Sequence, residues 1–214
     1  MKIPYTHKKY GSNGAILQGP KQGVNRYYLD SLYNSLVELK PKLCLEIGTH
    51  FGGSSKVFQD YFDEYMPDGL LITCDIKQYI DLSHMKNVKF VQVHAHMDNM
   101  STHHMVRDSE LLPKTEYSMN DNAVLIYNAV GGKKLDFVYI DGDHQAVSFD
   151  NDLDIARCCK KQNAWVLVDD TSEEYHELAK HFQQFRDNPK WEVYDFEDWE
   201  VLAGTSLLRE KQPR

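Results

Sequence analysis

Two apolar runs in this sequence end in carboxylates. LDFVYI, 135–140, leads into Asp141-Gly142-Asp143-His144, and WVLV, 165–168, leads into Asp169-Asp170. Like charges held close raise one another's pKa and cost stability unless something positive sits among them. Carboxylate oxygens suit a hard divalent cation such as Mg²⁺, which keeps several waters or takes oxygens from a substrate. Such an ion would orient a substrate hydroxyl and lower its pKa. His144 follows closely, and an imidazole with its ordinary pKa of about 6.5 takes up a hydroxyl proton at neutral pH. Asp143 is the competing base. A plainer reading also stands, in which Asp141 and Asp143 cap a turn and Asp170 caps a following helix.

A second set of residues suits a cofactor. Glu46-Ile47-Gly48-Thr49-His50-Phe51-Gly52-Gly53-Ser54 follows a short apolar run. Glycines let the backbone turn tightly and let a ligand approach the main chain. A helix opening after them offers free N–H groups and a positive dipole end. Asp75 ends the next apolar run, where an acid reaches ribose hydroxyls. The dinucleotide fingerprint G-x-G-x-x-G is absent; the pattern is E-x-G-x-x-x-G-G. An ordinary strand-to-helix turn and a simple cap at Asp75 are the alternatives.

These residues need elements to hold them. Strands are expected at 43–48, 70–75, 88–95, 135–141 and 164–170, with two more strand-like runs near the C-terminus. Leu29, Leu32, Leu36 and Leu39 follow a 3.6 period, and helices are expected after the first, fourth and fifth strands. Thr171 with Glu174 forms a capping-box pattern. Strands alternating with helices mean a parallel sheet covered on both faces. In such sheets ligands bind beyond the carboxyl ends of the strands. Glu46, Asp75, Asp141, Asp169 and Asp170 are all expected at that edge. Residues 1–24 are expected to loop over the surface. The long polar stretch 98–134 is expected to act as a lid, since long connections are commonly functional. Asp150, Asp152 and Asp154 are expected on the solvated face of a helix, and His94, His96, His103 and His104 are not expected to bind metal.

Composition narrows the function classes. The chain has 214 residues, 42% hydrophobic and 26% charged, enough for one sizeable core. The net charge of -8 argues against a general nucleic-acid binder, whose affinity rests on basic residues facing phosphates. No apolar run approaches the ~20 residues of a membrane helix, and the N-terminal stretch lacks a signal-peptide core. Cys44, Cys74, Cys158 and Cys159 suit neither a zinc site nor a disulfide framework, so reduced thiols in a cytoplasmic protein are expected.

The glycine loop resembles motif I of class I S-adenosylmethionine-dependent methyltransferases. With IDGDH, 140–144, and WVLVDD, 165–170, it resembles the branch containing macrocin-type sugar O-methyltransferases and cephalosporin-hydroxylase-like proteins. The resemblance spans roughly 25–210. It implies an α/β, Rossmann-like, doubly wound sheet of seven strands, mostly parallel with one antiparallel strand near the C-terminus. It further implies that Gly48, Thr49 and Gly52 approach the methionine part of the cofactor, that Glu46 supports the loop or the cofactor's amino group, and that Asp75 holds the ribose. His96 falls near the adenine, and Asp141 lies beside the cofactor. Asp141, Asp169 and Asp170 match the metal ligands of related metal-dependent O-methyltransferases. Two departures stand out: KKQNAW, 160–165, replaces a Pro-Gly-Gly turn, and Ala146 replaces an aromatic ring at the substrate side.

The reading that follows is a Mg²⁺-assisted O-methyltransferase acting on a small-molecule hydroxyl, with no membrane or nucleic-acid partner. A nicotinamide-dependent oxidoreductase and a cofactor-binding protein without turnover remain the rivals, because a fold alone never proves activity.

Overall fold

The computed structural model describes residues 3–4, 6–7, 10, 27–94, 119–143, 145–171, 177–196 and 204–211. The elements run α1 Tyr27–Leu39, β1 Leu43–Ile47, α2 Gly53–Tyr65, β2 Leu70–Asp75, β3 Val88–Gln92, α3 Met119–Ala129, β4 Leu135–Ile140, α4 Ala146–Cys159, β5 Lys160–Val168, α5 Glu177–Asp187, β6 Trp191–Asp195 and β7 Ser206–Glu210. They build one seven-stranded sheet in the order β3-β2-β1-β4-β5-β7-β6. Pairing is parallel from β3 through β5. β7 alone runs against its neighbours β5 and β6. The expected Rossmann-like, mostly parallel sheet is therefore the observed one.

The central strands are apolar on both sides because helices cover both faces. Leu45, Ile47, Val138 and Ile140 face one core with Ile126 of α3, Phe149 of α4 and Phe182 of α5. Cys44, Phe137 and Tyr139 face the other with Leu32 and Leu36 of α1 and Phe58 and Phe62 of α2. Successive strand residues alternate between the two cores, as the two-residue strand period requires. On α2 the apolar residues Val57, Phe58, Tyr61 and Phe62 recur at helical spacing, and all four are buried.

Several local expectations change. Ile3 and Tyr10 are buried in the α1–α2 core rather than lying on the surface. Side chains of α1 hold this stretch: Asn34 Oδ1 accepts from the amides of Thr6 and His7, and Asp30 Oδ1 accepts from Tyr10 N. Within the 98–134 stretch, α3 covers 123–129, where a short helix is read from the sequence, and buries Ala123 and Ile126 in the core; residues 98–118 lie outside the described residues. The sequence at 160–163 is strand rather than turn. β5 begins directly after α4, and its pairing with β4 shifts register between Leu135–Lys160 and Phe137–Trp165, a bulge that takes up the extra residues.

Candidate functional site

Sheet register decides which residues meet. Ile47 pairs with Cys74 on one side and Ile140 on the other, and Ile140 pairs with Val168. The residues one step further are Gly48, Asp75, Asp141 and Asp169. The ladder carries them out as a row: Gly48 N donates to Cys74 O, Asp141 N to Ile47 O, and Asp169 N to Ile140 O. Three carboxylates and Gly48 thus share one edge across four adjacent strands, Gly48 at β1 and the acids at β2, β4 and β5.

Gly48 sits at the tightest point of that edge. Its φ is +99°, and a Cβ there would fall 1.9 Å from the main-chain oxygen of Asp141. The loops after β1 and β4 therefore touch through backbone, which only glycine permits. The turn continues through His50, at φ +44°, to Gly52, at φ +72°, which opens α2. The first turn of α2 thus points its unpaired N–H groups and positive dipole end at the loop. His50 N and Ile76 N donate to Asp75 at 2.9 and 2.7 Å. Two backbone amides thereby fix the orientation of that carboxylate before any ligand arrives.

Glu46 is fully buried beneath this loop. It pairs in register with Thr73 of β2 and Tyr139 of β4. Its Oε2 accepts from Thr73 and Ser55, while Oε1 has no hydrogen-bond partner. Burial pushes its pKa up to about 7, partly offset by the surrounding hydroxyls. Thr49, also buried, lies 2.6 Å from Thr73 through their hydroxyl oxygens.

On the β4 side, Tyr139 OH donates to Asp141 Oδ2 at 3.2 Å, and Ser148 Oγ donates to Asp143 Oδ2 at 2.9 Å. Both acids are partly exposed, whereas Asp169 and Asp170 are buried. Asp170 adopts a left-handed backbone at φ +57°. The turn is tied to the far strands: Thr171 Oγ1 lies 2.6 Å from Ser206 Oγ, and Arg186 donates to Thr171 O at 3.1 Å. Arg186 also grips Asp195 with two nitrogens. Thr171 thus spends its hydroxyl on β7. The capping partner read for it, Glu174, is outside the described residues, as are His144 and His96.

The metal reading fares differently from the cofactor reading. Among the described residues, no three side chains of the His, Cys, Asp and Glu types are grouped to hold a metal ion. Asp141, Asp169 and Asp170 share an edge without forming such a group. Asp141 Oδ2 accepts from Tyr139 OH, and Asp170 adopts a left-handed backbone. The glycine loop, by contrast, offers a turn with no side chain at Gly48, an oriented acid and an open helix N-terminus.

Asp152, expected on the solvated face of α4, is half-buried. Its flanking acids do face outward, with Asp150 Oδ1 2.8 Å from His181 Nε2 and Asp154 bonded to Arg157. Asp152 turns inward, so that its Oδ2 would lie 2.9 Å from a Cβ on Gly142. Burial, with Asp143 and Asp75 nearby, pushes its pKa up to about 8. Residues 150, 152 and 154 look alike in sequence, and only the angular position on α4 separates them. The loops also carry an aromatic cluster at the mouth. His50 and Phe51 rings are 4.1 Å apart, and Tyr79 lies 5.9 and 6.1 Å from them.

Comparison with known proteins points the same way. The family described as a methyltransferase domain matches residues 45–171, which contain every strand-edge acid named above. No curated protein matches the chain. Among solved structures, the O-methyltransferase TomG from Streptomyces achromogenes, involved in tomaymycin synthesis and solved with SAM, is similar in fold. Its TM-score is 0.56 at 15% identity, covering 90% of this chain and 83% of that one. A SAH-bound methyltransferase from Podospora anserina has TM-score 0.54 at 14% identity, covering 91% and 83%. An O-methyltransferase from Bacillus cereus in complex with SAH has TM-score 0.53 at 12% identity, covering 90% and 84%. Among the described residues no helix is long and apolar enough to cross a membrane.

Proposed function

The chain belongs to the methyltransferase-domain family, of the class I S-adenosylmethionine-dependent type, and from that premise we propose that it methylates a hydroxyl oxygen of a small molecule. The observation that carries the cofactor part is the Gly48 turn, closed against the Asp141 carbonyl beside the pre-oriented Asp75. The O-methyltransferases among the solved neighbours support the choice of oxygen as acceptor. The domain is read as 25–210, with the family match inside it.

When bound, S-adenosylmethionine supplies an electrophilic methyl on a cationic sulfur. Gly48, Thr49 and Gly52 would line the approach of its methionine part, and Asp75 would accept from the ribose hydroxyls. Glu46 braces the loop from below, and Asp141 closes it from the β4 side. Asp143 or His144 would take the proton of the acceptor hydroxyl. Holding the two reactants in line supplies on the order of 7–11 kcal/mol of the barrier.

Calorimetric titration with S-adenosylmethionine tests this reading. The expected result is saturable binding that Asp75→Ala weakens about 10- to 100-fold, the loss of hydrogen bonds to a charged group worth about 1.5–3 kcal/mol. Binding of NADH in place of S-adenosylmethionine would overturn it in favour of an oxidoreductase.

A further inference from the structure

Beneath the loop, Glu46, Thr73 and Thr49 form an unbroken chain of hydrogen bonds. Thr73 Oγ1 is 2.5 Å from Glu46 Oε2 and 2.6 Å from Thr49 Oγ1. All three side chains are buried, so bulk water does not compete for these bonds. Each hydroxyl has one proton to give, which makes the chain directional. With Glu46 ionised, Thr73 donates to Glu46 and Thr49 donates to Thr73, leaving the Thr49 oxygen as an acceptor toward the loop. With Glu46 protonated, the chain reverses: Glu46 donates to Thr73, Thr73 to Thr49, and the Thr49 proton turns outward.

We propose that the proton on Glu46 gates cofactor binding, relayed through Thr73 to the polarity of Thr49 in the Gly48 turn. The inference rests on the reading that the methionine part of S-adenosylmethionine approaches Gly48 and Thr49. That ligand is a net cation, with a sulfonium and an ammonium against one carboxylate. It favours ionised Glu46 twice over, through the negative charge itself and through an acceptor at Thr49. Binding therefore expels the Glu46 proton to solvent, and no bond other than O–H changes.

The groups facing Glu46 are consistent with a titration near neutrality. From β2 come Thr73 and the acid Asp75, which raises the Glu46 pKa. From β4 comes Tyr139, whose hydroxyl is turned to Asp141. From α2 come Ser54 and Ser55, and from β1 itself the buried thiol Cys44 lies on the same face. With a pKa of about 7, Glu46 goes from about one-tenth ionised at pH 6 to about nine-tenths at pH 8. If only the ionised form binds, apparent affinity scales with that fraction.

The test is the Kd of S-adenosylmethionine by calorimetry from pH 6 to pH 8, for wild type, Glu46→Gln, Thr73→Val and Asp152→Asn. The cofactor's amine titrates in the same range, as α-amino groups do at about 7.7–8.0. It cancels when each profile is divided by that of Glu46→Gln. The expected result is a roughly tenfold tightening of wild type relative to Glu46→Gln between pH 6 and 8. Thr73→Val, which keeps the acid but cuts the relay, should keep only the part of the slope that the Glu46 charge produces directly and so fall between wild type and Glu46→Gln. Asp152→Asn, which removes the other acid with a raised pKa, should follow wild type. A flat wild-type ratio would overturn the inference while leaving the cofactor reading intact, and so would a Thr73→Val profile that kept the wild-type slope. Absence of S-adenosylmethionine binding at every pH would overturn both.

Discussion

Replacing Gly48 by alanine separates two costs that the structure keeps distinct. A Cβ at Gly48 meets the main-chain oxygen of Asp141 at 1.9 Å and its carbonyl carbon at 2.6 Å, on a backbone of φ +99°. The backbone strain alone is about 1–2 kcal/mol for a residue with a side chain. Overlap in a packed site adds typically 1–3 kcal/mol, and here the obstacle is backbone that has no rotamer to yield. The sum of about 2–5 kcal/mol is a large share of a typical 5–15 kcal/mol stability. For a chain of this size it lowers Tm by roughly 4–20 °C. Gly131 is the internal control: its φ is +67°, and nothing lies within 4 Å of a Cβ there. Gly131→Ala should lose only the strain part, about 1–2 kcal/mol. The assay is thermal unfolding of both variants, with S-adenosylmethionine titration of each at a temperature where both are folded. Gly48→Ala should lose cofactor binding because the β1 and β4 loops are forced apart, and Gly131→Ala should keep it. Equal Tm losses in the two variants, or cofactor binding retained by Gly48→Ala, would refute the argument that the loops meet at this point.

Other expectations follow from the same geometry. Asp152 has a folded pKa of about 8, raised above its unfolded value. The folded state therefore holds a proton that the unfolded state has lost, and stability falls as pH rises from about 4 toward 8. Asp152→Asn should be about 1–2 kcal/mol more stable than wild type at pH 8, a figure discounted for solvent screening of a half-buried group. That advantage should vanish near pH 4 in denaturant titrations, and an equal advantage at both pH values would contradict the titration. Removing Arg186 as Arg186→Ala leaves Asp195 without its two-nitrogen partner and Thr171 O without a donor. A loss of about 1.5–3 kcal/mol is expected by urea unfolding, larger than for exposed Lys42→Ala, whose partner Asp68 is equally exposed. Treatment with EDTA should leave the Kd for S-adenosylmethionine unchanged in calorimetry, since the described acids make no metal group; a large metal-dependent change would reinstate the magnesium reading.

Much of the site was legible because it depends on local sequence and strand order. An apolar run ending in an acid places that acid at a strand's carboxyl edge, whatever the strand's neighbours. Asp75, Asp141 and Asp169 could therefore be assigned to one edge from the pattern alone, and the register of β1, β2, β4 and β5 puts them there. The glycines of the turn were legible for the same reason, since a strand must reverse into α2 within a few residues. The stretches with ambiguous periodicity were harder. KKQN, 160–163, is polar and reads as a turn, yet it extends β5 because a bulge against β4 accommodates it. Ile3 and Tyr10 sit in a polar stretch, but hydrogen bonds from Asp30 and Asn34 bring them into a core formed by distant residues.

By itself the sequence determined the alternation of strands and helices, the turn at Gly48 and the row of acids, because each rests on nearest-neighbour periodicity and backbone sterics. Only the tertiary structure decided what each acid does with its charge. Glu46 is buried against hydroxyls from β2 and α2, and Asp152 turns inward while Asp150 and Asp154 turn out. Carboxylate chemistry depends on distances and desolvation between elements far apart in the chain, and those are set by packing rather than by spacing.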